Sequence, residues 1–180
     1  RNDLVNDCWM PDSGRVLYKQ VDADERLTQY AIEGRPSKPE EAISVAAGLI
    51  LGDGGVAIVA SGGLSVEEQF LLTKIRDQIS EPVPTYLVGR IAEGDGKLLS
   101  ADRNPNVRGA LLTGLVKTVP EAKLTELKTL IQEGSIKTIL VVGEDPSHAG
   151  IPEESLKDLN IIYVGTHHSE CSQYASVELP

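Results

Sequence analysis

The sequence predicts an α/β fold, a three-layer sandwich built on a mostly parallel sheet and preceded by an irregular N-terminal arm. Three observations lead there. Ile136 to Val142 and Asn160 to Val164 are nearly unbroken aliphatic, β-branched runs, the pattern of strands covered on both faces. From residue 37 onward such runs alternate with helical patterns, which specifies layers of helices on a sheet. With one Phe and one Trp in 180 residues, the core must be made of Val, Leu, Ile and Ala, and small aliphatic cores suit this layering.

Taken in order, residues 1–36 are polar and irregular, with Val16 to Val21 as a candidate strand. Ser37 followed by Glu40, with Pro39 between them, has the spacing of a helix-capping box. Ile43, Ala46, Ala47 and Ile50 then recur on one helical face. Gly52 to Gly55 turns the chain into a strand at Val56 to Ala60. Ser65 and Glu68 repeat the capping-box spacing ahead of an apolar stripe of Val66, Phe70, Leu71, Ile75 and Ile79. Val83 to Gly89 reads as a strand whose prolines, Pro82 and Pro84, put its start at an edge or outside the ladder. Residues 90–105, rich in Gly, Asp and Asn, form a long surface loop. Asn106 caps a short helix reaching Leu115, and Pro120 opens another in which Leu124, Leu127, Leu130 and Ile131 face inward until Gly134 stops it. The strand Ile136 to Val142, a short helix over 152–157, a strand at Ile161 to Val164 and a short strand near Val177 complete the alternation. No internal repeat interrupts it.

Composition narrows the function classes. With 41% hydrophobic and 24% charged residues the chain is expected to build one domain over 37–180 with the arm 1–36 appended. A net charge of −10 argues against nucleic acid and anionic membrane surfaces, which require a basic footprint. No apolar run approaches the ~20 residues of a membrane-spanning helix, so direct insertion is not expected. Arg1 opens a polar segment with neither a start methionine nor a signal-peptide core, so the sequence reads as cut from something longer. Cys8 and Cys171, the two cysteines, are distant and lack CxxC spacing, which makes a disulfide framework an unsuitable reading.

The candidate chemistry is sparse. Ser61-Gly62-Gly63-Leu64-Ser65 joins a strand to a helix start, where backbone N–H groups can cradle phosphate, but it is neither GxGxxG nor a P-loop. Glu67 and Glu68 already place negative charge there, so phosphate would meet like charge and a structural turn is the favoured reading. Gly143, Glu144, Asp145 and Pro146 follow a buried strand, at the edge where open α/β sheets gather ligands; Asp145-Pro146 by itself is a turn signal. His167 and His168 lie near Glu170 and Cys171, yet adjacent side chains of an extended segment point to opposite faces, which argues against a shared metal. Cys171 has no cationic neighbour in sequence to activate it and reads as a packing residue. With His148, His167 and His168 all late in the chain and no paired carboxylates, no catalytic residue is assigned.

Four segments, in order, resemble the molybdopterin oxidoreductase superfamily, and within it the large G-type iron-sulfur subunits of NADH-quinone oxidoreductase. VNDCWMPDSGRVLY (5–18) is similar to that family's V-N-x-x-W-x-C-D-K-G-R segment, and ASGGLSVEEQFLLTKI (60–75) to its T-N-E-E-x-Y-L-x-Q-K strand-loop-helix. NVRGALLTGL (106–115) resembles N-x-x-G-A. IKTILVVGEDP with SECSQYASVELP resembles I-K-A-L-x-x-x-G-E-N-P followed by T-E-T-A-x-x-A-D-V-V-L-P. The resemblance implies a fold like that of formate dehydrogenase and DMSO reductase. It also implies that Ser61, Glu68, Gly143, Asp145 and Glu170 match positions that approach cofactor in active relatives, and would be vestiges of a binding edge in this chain.

The departures decide what carries over. Pro11 stands where the family's fourth cluster cysteine is expected, Cys8 is three positions early, and the other cysteines would lie upstream of Arg1. A four-iron cluster needs four thiolate-type ligands, so none is expected in this chain, although clusters are expected upstream in the parent. Only residues 77–106 separate the second and third segments, too few for the further dinucleotide-binding domain of roughly 100 residues or more that molybdenum enzymes carry. The resemblance therefore implies no cofactor or metal in this chain. It points to a scaffold domain of an NADH dehydrogenase subunit, cytoplasmic or peripheral to a membrane through partner subunits. Two alternatives remain open: a cofactor-binding domain of a molybdenum or tungsten oxidoreductase, with 61–65 and 143–145 holding part of a guanine dinucleotide, and an unrelated nucleotide-binding module.

Overall fold

A computed structural model describes residues 12–97, 100–120 and 124–180. Among them the chain forms α1 (Asp12–Arg15), β1 (Ala31–Ile32), β2 (Arg35–Pro36), α2 (Pro39–Leu51), β3 (Gly55–Ser61), α3 (Val66–Arg76) and β4 (Thr85–Val88). There follow α4 (Val107–Thr113), α5 (Thr125–Gln132), β5 (Ile136–Val142), α6 (Glu153–Leu156), β6 (Asn160–Val164) and β7 (Val177–Leu179), with short 3-10 turns between some of them. The strands make one sheet in the order β2-β1-β7-β6-β5-β3-β4. β4, β3, β5, β6 and β7 are parallel, and β1 and β2 close one edge as an antiparallel hairpin. This is the mostly parallel, doubly covered sheet that the sequence predicts.

Each long strand divides its side chains between two cores. Ala57 and Val59 of β3, Ile139 and Val141 of β5, and Ile161 and Tyr163 of β6 pack on one face with Leu127 of α5 and Leu156 of α6. Ile58, Ala60, Leu140 and Ile162 pack on the other with Ala42 and Ala46 of α2, Leu72 of α3 and Ala110 of α4. This alternation is the two-residue period of a strand, and it explains the unbroken apolar runs.

Several expectations are corrected. Val16 to Val21 is not a strand: Leu17–Gln20 is a 3-10 turn with the Lys19 N–H donating to Val16 O. Its apolar residues Val16, Leu17, Tyr18 and Val21 are exposed, so no burial rewards pairing there. The arm is not irregular throughout, because Ala31–Ile32 and Arg35–Pro36 join the sheet through a two-residue turn in which Glu33 and Gly34 both have positive φ. Pro36 on that outermost strand removes an N–H that would otherwise be free at the edge. The helix after it begins at Pro39 with Lys38 as its cap residue and no side-chain cap bond, so the Ser37–Glu40 box does not form. By contrast the Ser65–Glu68 box is complete in both directions, and Asn106 caps α4 by accepting from the Gly109 N–H. The segment of Cys8 and Pro11 lies outside the described residues.

Candidate functional site at the strand carboxyl ends

After β3 the chain passes through α3 to β4 on one side. It then crosses back through α4 and α5 to β5 on the other side of β3. The winding direction therefore changes between β3 and β5, the position at which doubly wound sheets carry their ligand crevice. Ser61 ends β3 and Gly143 follows β5, and the two meet: a Cβ on Gly143 would lie 3.4 Å from that of Ser61. Gly143 also has φ of 69°, a left-handed conformation that only glycine takes without strain.

The crevice is filled by the chain's own groups. Glu144, whose side chain is 8% exposed, accepts from Arg90 Nε at 3.1 Å and Nη2 at 2.8 Å, and from Ser61 Oγ at 3.4 Å. The turn 61–65 spends its donors locally. The Gly63 N–H donates to Ser61 Oγ, the Ser65 N–H to Glu68 Oε2, and the Glu68 N–H to Ser65 Oγ. Asn104 covers Gly62, with its Cβ 2.9 Å from where a side chain at Gly62 would start.

Asp145 is 3% exposed and accepts from the Cys171 N–H at 2.9 Å and the Ser147 N–H at 2.8 Å. Burial is the largest single influence on its carboxyl and pushes the pKa upward; the Cys171 amide and the Ser147 and Ser169 bonds outweigh it and hold the pKa below the ordinary value. Glu170 is exposed and accepts from Ser147 Oγ, which places it beside Asp145. Burial, and then the Asp145 charge, push the Cys171 thiol far up, so it is an inert packing residue.

The structure thus brings Ser61 and Gly143 together and places Asp145 and Glu170 as neighbours across Ser147. Glu68 stands apart as a helix cap. His167 and His168 diverge: His167 Nε2 contacts Gln20 O at 2.7 Å, whereas His168 Nδ1 contacts Glu178 at 3.1 Å. Among the described residues no group of three or more His, Cys, Asp or Glu is placed to hold a metal.

Two groups were missed in the sequence. Arg90 is the residue immediately after the expected strand Val83 to Gly89, and that adjacency to a strand end was the available signal. The second is the amide network behind the turn: Gln69, fully buried, donates to Asn106 O, Asn106 Nδ2 donates to Leu64 O, and the Asn106 N–H donates to Gly62 O. A side chain at Gly109 would start 2.7 Å from Gln69 Oε1 and against Asn106 Oδ1. The N-x-x-G-A segment is therefore accounted for by packing: its Asn ties the turn after β3 to α4, and its Gly leaves room for the amides.

Electrostatically this end of the sheet carries both signs, with Lys38 at the cap of α2 and Arg90 after β4 beside several carboxylates. Both α2 and α3 begin here, with Glu40, Glu41, Glu67 and Glu68 in their first turns, and Glu144 lies between β3 and β5. A phosphate-bearing cofactor does not fit this arrangement: the arginine and hydroxyl it would use hold a carboxylate, the Gly63 and Ser65 amides of the turn are bonded internally, and Glu67 and Glu68 already place charge of its own sign at the start of α3. No known protein-family model matches the chain, and no curated protein matches it.

Proposed function

We propose that this chain is a non-catalytic scaffold domain of an NADH:quinone-type electron-transfer subunit, packing against iron-sulfur segments and partner subunits of a cytoplasmic or membrane-peripheral complex. The lineage rests on the four ordered segments. The loss of chemistry rests on one observation, the Glu144 carboxylate held by Arg90 and Ser61 in the crevice between β3 and β5. That crevice is where a nucleotide's phosphates would need the same donors. In place of binding, the bonds tie the loops after β3, β4 and β5 into one rigid edge. Electrons in the parent would pass through clusters on other segments, and this domain would exclude water around them.

The competing reading, a guanine-dinucleotide-holding domain of a molybdenum or tungsten oxidoreductase, is favoured by the topology alone. Metal analysis of the natively purified parent protein separates the two. Iron without molybdenum or tungsten is the expected result; stoichiometric molybdenum or tungsten overturns the scaffold assignment.

A further inference from the structure

The two edges of the sheet are finished differently. At one edge the outermost strand β2 carries Pro36, which has no N–H to leave open. At the other, β4 ends the sheet with main-chain groups unpaired. Thr85 is in register with Ile58 of the parallel neighbour β3, and the Ile58 N–H donates to Pro84 O at 3.0 Å. In a parallel ladder such bonds go to the residues on either side of the one in register, so Pro84, Tyr86 and Val88 turn their groups towards β3. Thr85 and Leu87 turn theirs away, one N–H and one C=O each, and no described residue bonds them. The two residues lie about 7 Å apart, the repeat of an extended chain.

A cavity of about 520 Å³ runs along this edge, with residues 83–87 as one wall and residues 116–120 as the other. The second wall exists because α4 packs on one face of the sheet through Ala110 and α5 on the other through Leu127, so the chain between them passes around β4. That wall selects the occupant. The β4 of a second copy would lie behind its own residues 116–120, so two sheet edges cannot meet, whereas a single extended segment fits between wall and strand. Charge does not decide: Arg76, Lys117 and Glu126 line the cavity with both signs, and Arg76 already donates to Gly114 O at 2.8 Å. The main chain does. Leu87 is 3% exposed, and buried main-chain groups without partners are costly, so a chain that supplies both a donor and an acceptor is rewarded there. We infer that β4 takes up one extended segment of a partner protein, which pairs with the outward groups of Thr85 and Leu87 as a further strand of the sheet. Its alternate side chains on the Leu87 side meet Val83 and Val116 and are apolar; the intervening ones lie on the side of Tyr86. The inference goes beyond the scaffold assignment and does not rest on the parent's redox chemistry.

The test uses the whole chain and a fluorescein-labelled peptide of about seven residues alternating Val and Thr, followed by fluorescence anisotropy. Two further peptides carry N-methyl groups, one on every Val and the other on every Thr, which removes the N–H groups of one peptide edge at a time. One of the two should bind about ten-fold more weakly than the unmethylated peptide, and the other within about three-fold of it. Loss with methylated Val assigns an antiparallel strand and loss with methylated Thr a parallel one, because the two directions turn opposite residue sets towards β4. Thr85→Pro removes an outward N–H that the ladder does not use, so the sheet is kept, and it should weaken binding of the unmethylated peptide about ten-fold. No binding, equal binding by all three peptides, or equal loss in both methylated ones overturns the inference, as does unchanged binding to the Thr85→Pro protein. So does a dimer in sedimentation that Thr85→Pro converts to monomer, which would assign the edge to a second copy. Peptide failure leaves the metal result untouched, and molybdenum in the parent leaves the peptide result untouched, so the two readings fail separately.

Discussion

On one face of the sheet, Ile139 and Val141 of β5 and Ile161 and Tyr163 of β6 lie beneath α5, α6 and the turn around Cys171. On the other face, the intervening residues of the same strands, Leu140, Val142, Ile162 and Val164, form the floor of an open groove. The strand residues are equally apolar on both sides, so the strands do not decide which face is sealed. The covering elements do: on the first side Leu127 and Leu156 are fully buried, whereas on the second Leu71 and Ile75 of α3 look across a gap at Ile43 of α2. An apolar face of a helix thus reports amphipathicity, without saying whether a neighbouring element covers it.

The largest effect should come from the sealed face. Leu127 is completely buried, and Leu127→Ala is expected to cost about 2–5 kcal/mol in urea denaturation, the lost transfer energy plus a cavity that the neighbouring strands cannot fill. A cost under about 1 kcal/mol, the range of volume-tolerant sites, would mean that this core is as open as the groove.

The sealed face is also pinned by Asp145, whose carboxylate takes the N–H groups of Cys171 and Ser147. Its pKa is lowered in the folded state, so the stability it contributes is fully present above its unfolded value of about 4 and is lost as pH falls through the lower folded value. Asp145→Asn keeps the shape and loses the charge, with an expected loss of about 1.5–3 kcal/mol at pH 7, the range for hydrogen bonds to charged groups. The difference from the parent sequence should shrink in thermal melts below about pH 4. A gap that stays constant across that range would assign the effect to packing.

On the open side, α3 is held as a wall of the groove through its seam with α4, where Gln69, Asn106 and Gly109 meet. Gly109→Ala forces a methyl into the amide network and should cost about 1–3 kcal/mol, the range for overpacking. Chemical denaturation measures the cost.

The parts of this arrangement written in contiguous sequence were legible there. Ile136 to Val142 reads as a strand because six of its seven residues are β-branched or leucine, unbroken from Thr138 onward, with only Lys137 charged, and the structure has β5 over the same span, with Lys137 the exposed residue. The Ser65–Glu68 box and the Asn106 cap were readable because cap bonds span three residues. Ser37–Glu40 had the same spacing and failed, since Pro39 starts the helix with Lys38 as the cap residue. Ser61 and Gly143 were singled out as strand ends, but the closure of their crevice was not visible: Arg90 and Glu144 are 54 residues apart, and only the order β4-β3-β5 brings them together. The exposure of Ile43, Leu51 and Leu71 is not legible in the sequence, because periodicity reports amphipathicity and says nothing about whether a neighbouring helix completes the layer.

The smallest expected effect is the sharpest test of the contrast between the two faces. Leu71 is as apolar as Leu127 and, like it, on a helix facing the sheet, but it is 60% exposed while Leu127 is fully buried. Leu71→Gln should therefore change the stability of the isolated chain by no more than about 0.5 kcal/mol, as for ordinary surface positions. It gives up little burial, Gln is a good helix former, and the polar end of the new side chain stays in water. Urea denaturation beside Leu127→Ala measures both on one scale. A loss above about 2 kcal/mol, the range for emptying a core site, would show that α2 and α3 close on each other in solution. The groove would then be an interior, and the apolar residues lining it would need no partner.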